Sequence, residues 1–110
     1  MIDDGATRTL TGSDPDAPLL VVLHGYGASE ADLLPLASHL GHTGDVAFLR
    51  APLPLGPGWA WFPITTIGRP DVAAVQAACD ALLAWIDTHA AGRDVLLLGF
   101  SQGSTVALQA

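Results

Sequence analysis

The stretch "VLLLGFSQGSTVALQA", Val95–Ala110, decides how this chain folds. Val95–Leu98 is a continuous apolar run and reads as a buried strand, while the residues after Gly103 read as the first turns of a helix. Between them, Gly99-Phe100-Ser101-Gln102-Gly103 matches the pattern G-x-S-x-G. With twelve glycines and five serines in 110 residues, roughly 0.06 such matches arise by chance. The bare pattern is weak, and its place between a strand and a helix makes it informative.

A chain that reverses from strand to helix within a few residues forces the central residue into a strained backbone conformation and projects its side chain outward. Side chains two positions to either side would collide where strand and helix nearly touch, so glycine is required at Gly99 and Gly103. The helix behind Ser101 aims its unpaired N–H groups and positive dipole end at the reacting centre, where negative charge develops during acyl transfer. Ser101 is therefore a candidate nucleophile. The competing reading is a glycine-bracketed turn whose serine only caps the helix.

Working outward, "LLVVL", Leu19–Leu23, is another continuous apolar run, as expected of a parallel strand covered on both faces. His24-Gly25-Tyr26-Gly27 breaks it. A helix is expected next, with Ser29 and Asp32 as a capping box, Leu33, Leu36 and Leu40 on one face, and Pro35 in the first turn. "DVAFLRAP", Asp45–Pro52, reads as a strand, and Thr7–Thr11 as a short edge strand. Pro52–Pro70, rich in proline and glycine and holding Trp59, Trp61 and Phe62, reads as a long irregular loop. Asp71 caps a helix running to about Ala90, with Val72, Val75, Cys79, Leu82 and Ile86 as its buried stripe and Gly92 as its stop. Strands alternating with helices predict an α/β fold with a mostly parallel sheet flanked by helices.

The HGYG turn follows the first apolar strand, as the G-x-S-x-G turn follows the last. Acyl transfer in this setting needs one N–H from the residue after the nucleophile and one from the earlier loop, which here are the backbone N–H groups of Gln102 and Tyr26. Gly25 and Gly27 let that backbone come close to a substrate oxygen. An ordinary glycine turn is the alternative.

Together, "VVLHGYG", "RAPLP…GWAWFPI" and "LLLGFSQGS" resemble the phospholipase/carboxylesterase family of α/β-hydrolases, which includes the acyl-protein thioesterases and small bacterial carboxylesterases. The resemblance runs from Leu20 to the last residue. It implies a serine hydrolase of carboxylic esters or thioesters working through an acyl-enzyme on Ser101. His24 would support the oxyanion turn. Trp61 and Phe62 would line the acyl chain, or else simply cover the core. The chain departs from the family pattern at Ala28-Ser29, where an acidic residue is common, and at Ser104, where Gly or Ala is usual.

The larger departure is length. Family members run to about twice this size, and the triad order is Ser, then Asp or Glu, then His. "QGSTVALQA" holds neither acid nor histidine, and His24, His39, His42 and His89 all precede Ser101. The expectation is that residues 1–110 form the N-terminal part of a single α/β-hydrolase domain, truncated after the nucleophile elbow, with acid and base supplied by a missing C-terminal half. Alternatives are a related α/β-hydrolase such as a peptidase or dienelactone-type hydrolase, and a non-catalytic short form acting as a binding module.

Four Lys and Arg against eleven Asp and Glu, a net charge of −7, disfavour nucleic acid and anionic membrane surfaces. No apolar run approaches the length of a membrane span. Cys79 is the only cysteine and reads as a small buried residue, and no cluster has metal-ligand spacing. The expectations are no cofactor or metal, a small-molecule ester or thioester as partner, and a cytoplasmic location. The sequence says nothing about oligomeric state.

Overall fold

A computed structural model of the chain describes residues 2–63, 71–90 and 92–109. In chain order the strands and helices are β1 (Arg8–Leu10), β2 (Leu19–Leu23), β3 (Val46–Leu49), β4 (Leu53–Leu55), β5 (Gly58–Ala60), α1 (Val72–His89), β6 (Val95–Gly99) and α2 (Gln102–Gln109). A 3₁₀ helix, Leu34–His39, lies between β2 and β3. One sheet has the order β1-β3-β2-β6, and β4 and β5 form a separate hairpin. β2 pairs in parallel with β3 and β6, and β1 runs antiparallel to β3.

The uninterrupted apolar run of β2 follows from its central position. All five of its residues are buried. Leu19, Val21 and Leu23 join Ala47 and Leu49 of β3 in a core shared with Val75 and Leu82 of α1 and Val106 of α2. Leu20 and Val22 join Val46 and Phe48 in a second core on the other face, against which Leu33, Leu34 and Ala37 pack. Each aliphatic side chain buried this fully stabilises the fold by about 1.5–3 kcal/mol.

The connection after β2 covers one face of the sheet, while α1 and α2 cover the other. Chain departing in opposite directions from adjacent parallel strands opens a crevice at their carboxyl ends. Leu23 lies level with Gly99 in the pairing of β2 with β6, so HGYG and GFSQG leave the sheet at the same height. Phe100 N–H still bonds Leu23 O at 3.0 Å.

Several expectations need correction. The segment after HGYG is a six-residue 3₁₀ helix, because Pro35 at its start and its short length leave few i→i−4 bonds to form. Asp32 does accept the Ser29 N–H, at 2.9 Å, but this closes a turn ahead of the helix. Leu36 and Leu40 are exposed, and Leu34 and Ala37 pack in their place. The start of the Pro52–Pro70 stretch is the ordered hairpin β4–β5, while residues 64–70 lie outside the described residues. Val72 is 81 % exposed at the first position of α1, and the buried stripe is Val75, Ala78, Cys79, Leu82 and Trp85. Finally, β6 is only partly buried, Leu96 being 49 % exposed, because among the described residues it pairs on one side alone.

Asp71 caps α1 as expected, its carboxylate accepting the Ala73 N–H at 2.9 Å. Gly92 takes the left-handed conformation, φ +75°, that a helix stop uses. Cys79 is 1 % exposed, and burial pushes its thiol pKa up, as for an inert packing residue.

The corrected stripe makes a contrast that unfolding measurements can check. Leu82→Ala, at a fully buried position, is expected to destabilise by about 2–5 kcal/mol. Val72→Ala is expected to stay within about 0.5 kcal/mol of the parent in urea titrations.

Candidate active site

Ser101 sits in the turn between β6 and α2 with φ +54°, the one positive φ at a non-glycine residue among those described. Such a backbone costs on the order of 1–3 kcal/mol and persists only where the surroundings hold it. The holding contacts are close. A Cβ on Gly99 would lie 2.4 Å from Gly103 O, and one on Gly103 would lie 2.4 Å from Leu23 O and 2.7 Å from His24 O. The turn is closed by Gly103 N–H to Phe100 O at 2.9 Å and Ser104 N–H to Ser101 O at 3.0 Å. The Ser104 hydroxyl adds a third bond, donating to Ser101 O at 2.6 Å, so a serine here reinforces the turn.

The facing loop is His24–Gly27. A Cβ on Gly25 would lie 3.2 Å from Ser101 Cβ and 3.9 Å from Ser101 Oγ, so bare backbone lies beside the serine. Gly27 has φ +77°, and Ala28 N–H closes the turn onto Gly25 O at 3.1 Å. Among the described residues, the N–H groups of Tyr26 and Gln102 have no internal acceptor, and Ser101 Oγ has no hydrogen-bond partner. Ser101 and Tyr26 are exposed. Among the described residues, an unpaired hydroxyl and two unpaired backbone donors thus lie on two adjacent turns.

His24 explains why the loop holds its shape. It is 1 % exposed, and Ala51 N–H donates to its Nε2 at 3.0 Å. Nε2 is therefore the acceptor, and Nδ1–H donates to Gly25 O at 2.8 Å. Burial holds its pKa below the ordinary 6.5, outweighing the Gly25 carbonyl and the Glu30 charge, which favour the cation. Both nitrogens are thus committed to backbone partners in the neutral ring. Of the other histidines, His42 bonds Pro18 O at the amino end of β2, and His89 stacks on Trp85 at 4.7 Å. His39 ends the 3₁₀ helix.

The Gln102 side chain has a part that sequence reasoning missed, having assigned this residue only its backbone N–H. Buried to 6 % exposure, its Oε1 accepts the N–H groups of Trp61 at 2.8 Å and Phe62 at 3.4 Å, and its Nε2 donates to Phe62 O at 2.6 Å. Trp61 Nε1 donates to His24 O at 2.9 Å and its ring lies 5.6 Å from the imidazole. One side chain therefore joins the start of α2 to the chain after β5, and Trp61 carries that link on to His24. Trp61 and Phe62 are 2 % and 4 % exposed within the main core. The ion pair of Glu30 and Arg50, twenty residues apart, also left no local sign in the sequence.

A cleft of about 600 Å³ lies at the opposite end of the sheet, between Asp45, Arg93 and Asp94. It precedes the parallel strands, away from Ser101.

No family profile matches the chain. It is 32 % identical to a "probable esterase" of Aspergillus terreus over 94 % of its own length and 46 % of that protein. Among solved structures, a carboxylesterase from Mesorhizobium loti matches 93 % of this chain and 51 % of its own at 26 % identity and a TM-score of 0.82. The Bacillus cereus carboxylesterase, at 24 % identity, shares the fold over 99 % of this chain and 52 % of its own with a TM-score of 0.86. The chain spans about half the length of the relatives it matches.

Gln102→Ala strands two donors and a carbonyl in the core, and each orphaned group costs about 1–3 kcal/mol. A fall of at least about 2 kcal/mol in urea unfolding is expected. His24 gives a pH dependence of defined sign. As pH falls, the unfolded chain takes up the proton near 6.5 while the buried ring still resists it. The stability it contributes is full above that value and is lost as pH falls through the depressed folded value. Urea midpoints are expected to drop between about pH 7.5 and 5.5, and less steeply in His24→Gln.

Proposed function

We infer, for a chain that belongs to the phospholipase/carboxylesterase type of α/β-hydrolases and matches about half the length of its relatives, the nucleophile-bearing part of a serine hydrolase of carboxylic esters or thioesters. The observation that carries this reading is Ser101 at φ +54° on the strand-to-helix turn, with the Gly25 backbone beside its hydroxyl.

In this proposal Ser101 Oγ attacks the carbonyl carbon of the substrate. Its proton passes to a histidine supplied from outside these 110 residues and oriented by an acid. His24 does not serve, since both its nitrogens are committed and burial opposes its protonation. The carbonyl π electrons move onto oxygen, and the N–H groups of Tyr26 and Gln102 hold the resulting oxyanion. The dipole of α2 favours the same charge. Collapse of the tetrahedral species expels the alcohol or thiol, which takes the proton from the histidine and leaves an acyl ester on Ser101. Water then repeats the sequence and releases the acid.

Trp61 and Phe62, closed into the core, serve the substrate indirectly in this scheme, by fixing Gln102 and His24. The partner is a small-molecule ester or thioester, and a cytoplasmic location belongs to the same proposal, suggested by the sequence. Among the described residues no helix is long and apolar enough to cross a membrane.

The test is hydrolysis of a p-nitrophenyl ester by the enzyme that includes the histidine and acid. Ser101→Ala is expected to lower turnover by on the order of 10⁶, and a fluorophosphonate probe is expected to label Ser101. The 110-residue chain alone is expected to show no comparable turnover. Activity persisting in Ser101→Ala, or labelling at another residue, would overturn the proposal.

A further inference from the structure

The loop that carries the Tyr26 N–H is held from its far side by residues outside the two glycine-rich turns. Trp59 of β5 bonds across to it twice, Gly27 N–H to Trp59 O and Trp59 N–H to Ala28 O, each at 2.9 Å. This is a single antiparallel bridge, Ala28 to Trp59, formed outside the sheet. The approach is so close that a Cβ on Gly58 would lie 1.9 Å from Gly27 O. Hairpin β4–β5 is thus pressed against the loop, main chain to main chain.

A second contact fixes both partners. Glu30, three residues beyond Gly27, is 4 % exposed and grips Arg50 through both carboxylate oxygens, with Arg50 Nε bonds of 3.0 and 3.1 Å and a further bond from Nη2. Arg50 follows β3, and the next residue, Ala51, is the one whose N–H holds His24. The Arg50 guanidinium also lies over the Trp59 ring, 4.5 Å from its centroid. A planar guanidinium can meet a carboxylate at its edge and an aromatic ring at its face simultaneously, which an ammonium cannot reproduce. Arg50 therefore joins the descending leg of the Tyr26 loop, the end of β3 and the hairpin in one unit, and although burial alone would raise the Glu30 pKa, the hydrogen bonds and charge of Arg50 help to draw it below its ordinary value.

We propose that Arg50, clasped by Glu30 and stacked on Trp59, is a positioning residue that aims the Tyr26 N–H at the oxyanion. The inference rests on the ester-hydrolase reading and adds to it the residues that set one of its two donors. An oxyanion donor acts only at the position the charged oxygen will occupy, so a loop shifted by a few tenths of an ångström still binds substrate yet stabilises the transition state less. The signature is a loss in kcat with KM nearly unchanged. A residue that merely kept the protein folded would alter the amount of active enzyme without that matched loss of affinity for a tetrahedral mimic.

The experiment uses the catalytically complete enzyme, a p-nitrophenyl ester, and an alkyl boronic acid, which adds to Ser101 Oγ as a tetrahedral mimic. Arg50→Met and Trp59→Leu are expected to lower kcat by about 10- to 100-fold, with KM within about 3-fold of the parent. The boronic acid should weaken in parallel with kcat. Trp59→Phe, which keeps a ring face under the guanidinium, is expected to stay within about 3-fold in kcat. Wild-type kcat in folded Arg50→Met, or a raised KM at unchanged kcat, would overturn the inference. Should Arg50→Met fail to fold, the Trp59→Leu and Trp59→Phe pair decides, because equal kcat in the two also overturns it. Ser101→Ala, run alongside, separates the two levels: activity surviving there defeats the hydrolase reading itself, whereas inactive Ser101→Ala with normal Arg50→Met and Trp59→Leu defeats only the role of Arg50.

Discussion

The first turn of α2 lies so near the carbonyls of Leu23 and His24 that Gly103 has room for a hydrogen and no carbon. This contact sets the distance between the turn at Ser101 and the loop at Gly25, and most of the site follows from it. If α2 began a little farther from β2, the Ser101 backbone would have no reason to stay at a positive φ. The strain at Ser101 is therefore held by close packing, with glycine at Gly99, Gly103 and Gly25 marking where chain meets chain.

Two buried polar side chains turn this closeness into rigidity. His24 is held neutral by burial and spends both nitrogens on backbone, one on its own loop and one on the end of β3. Gln102 spends its amide on Trp61 and Phe62, tying α2 to the chain that leaves the hairpin. Each amide or ring atom in this set meets a partner, as burial in a low-dielectric interior demands. The result is a pair of rigid, adjacent turns on which, among the described residues, Ser101 Oγ and the N–H groups of Tyr26 and Gln102 have no internal partner.

The strands of the main sheet and α1 were legible in the sequence because they depend on local pattern. β2 announces burial on both faces by an unbroken apolar run, and α1 announces itself by Asp71, a 3,4-spaced stripe and Gly92. The glycine requirements at Gly99 and Gly103 were likewise legible, since a strand turning into a helix imposes them. Errors arose where pattern was ambiguous. Leu36 and Leu40 look like a helical stripe, yet Pro35 and a short span produce a 3₁₀ helix that packs Leu34 and Ala37, both partly buried, against the core instead. Val72 matches the α1 period but lies in the first turn, beyond the edge of the core. The proline- and glycine-rich stretch after Pro52 concealed a hairpin, because its pairing is three residues long on each side.

By itself the sequence determined the α/β class, the positions of β2, β3, α1 and β6, and the two glycine-rich turns around Gly25 and Ser101. These are properties of periodicity and backbone sterics, which neighbouring residues express. Only the tertiary structure decided what holds those turns together: the neutral tautomer of His24, the Gln102 side chain as a bridge, and Arg50 between Glu30 and Trp59. Most of those contacts join residues far apart in the chain, Glu30 to Arg50 across 20 positions and Gln102 to Trp61 across 41, and nothing local requires them. They arise because adjacent parallel strands send their chains to opposite faces of the sheet, which brings three distant loops to one end of it.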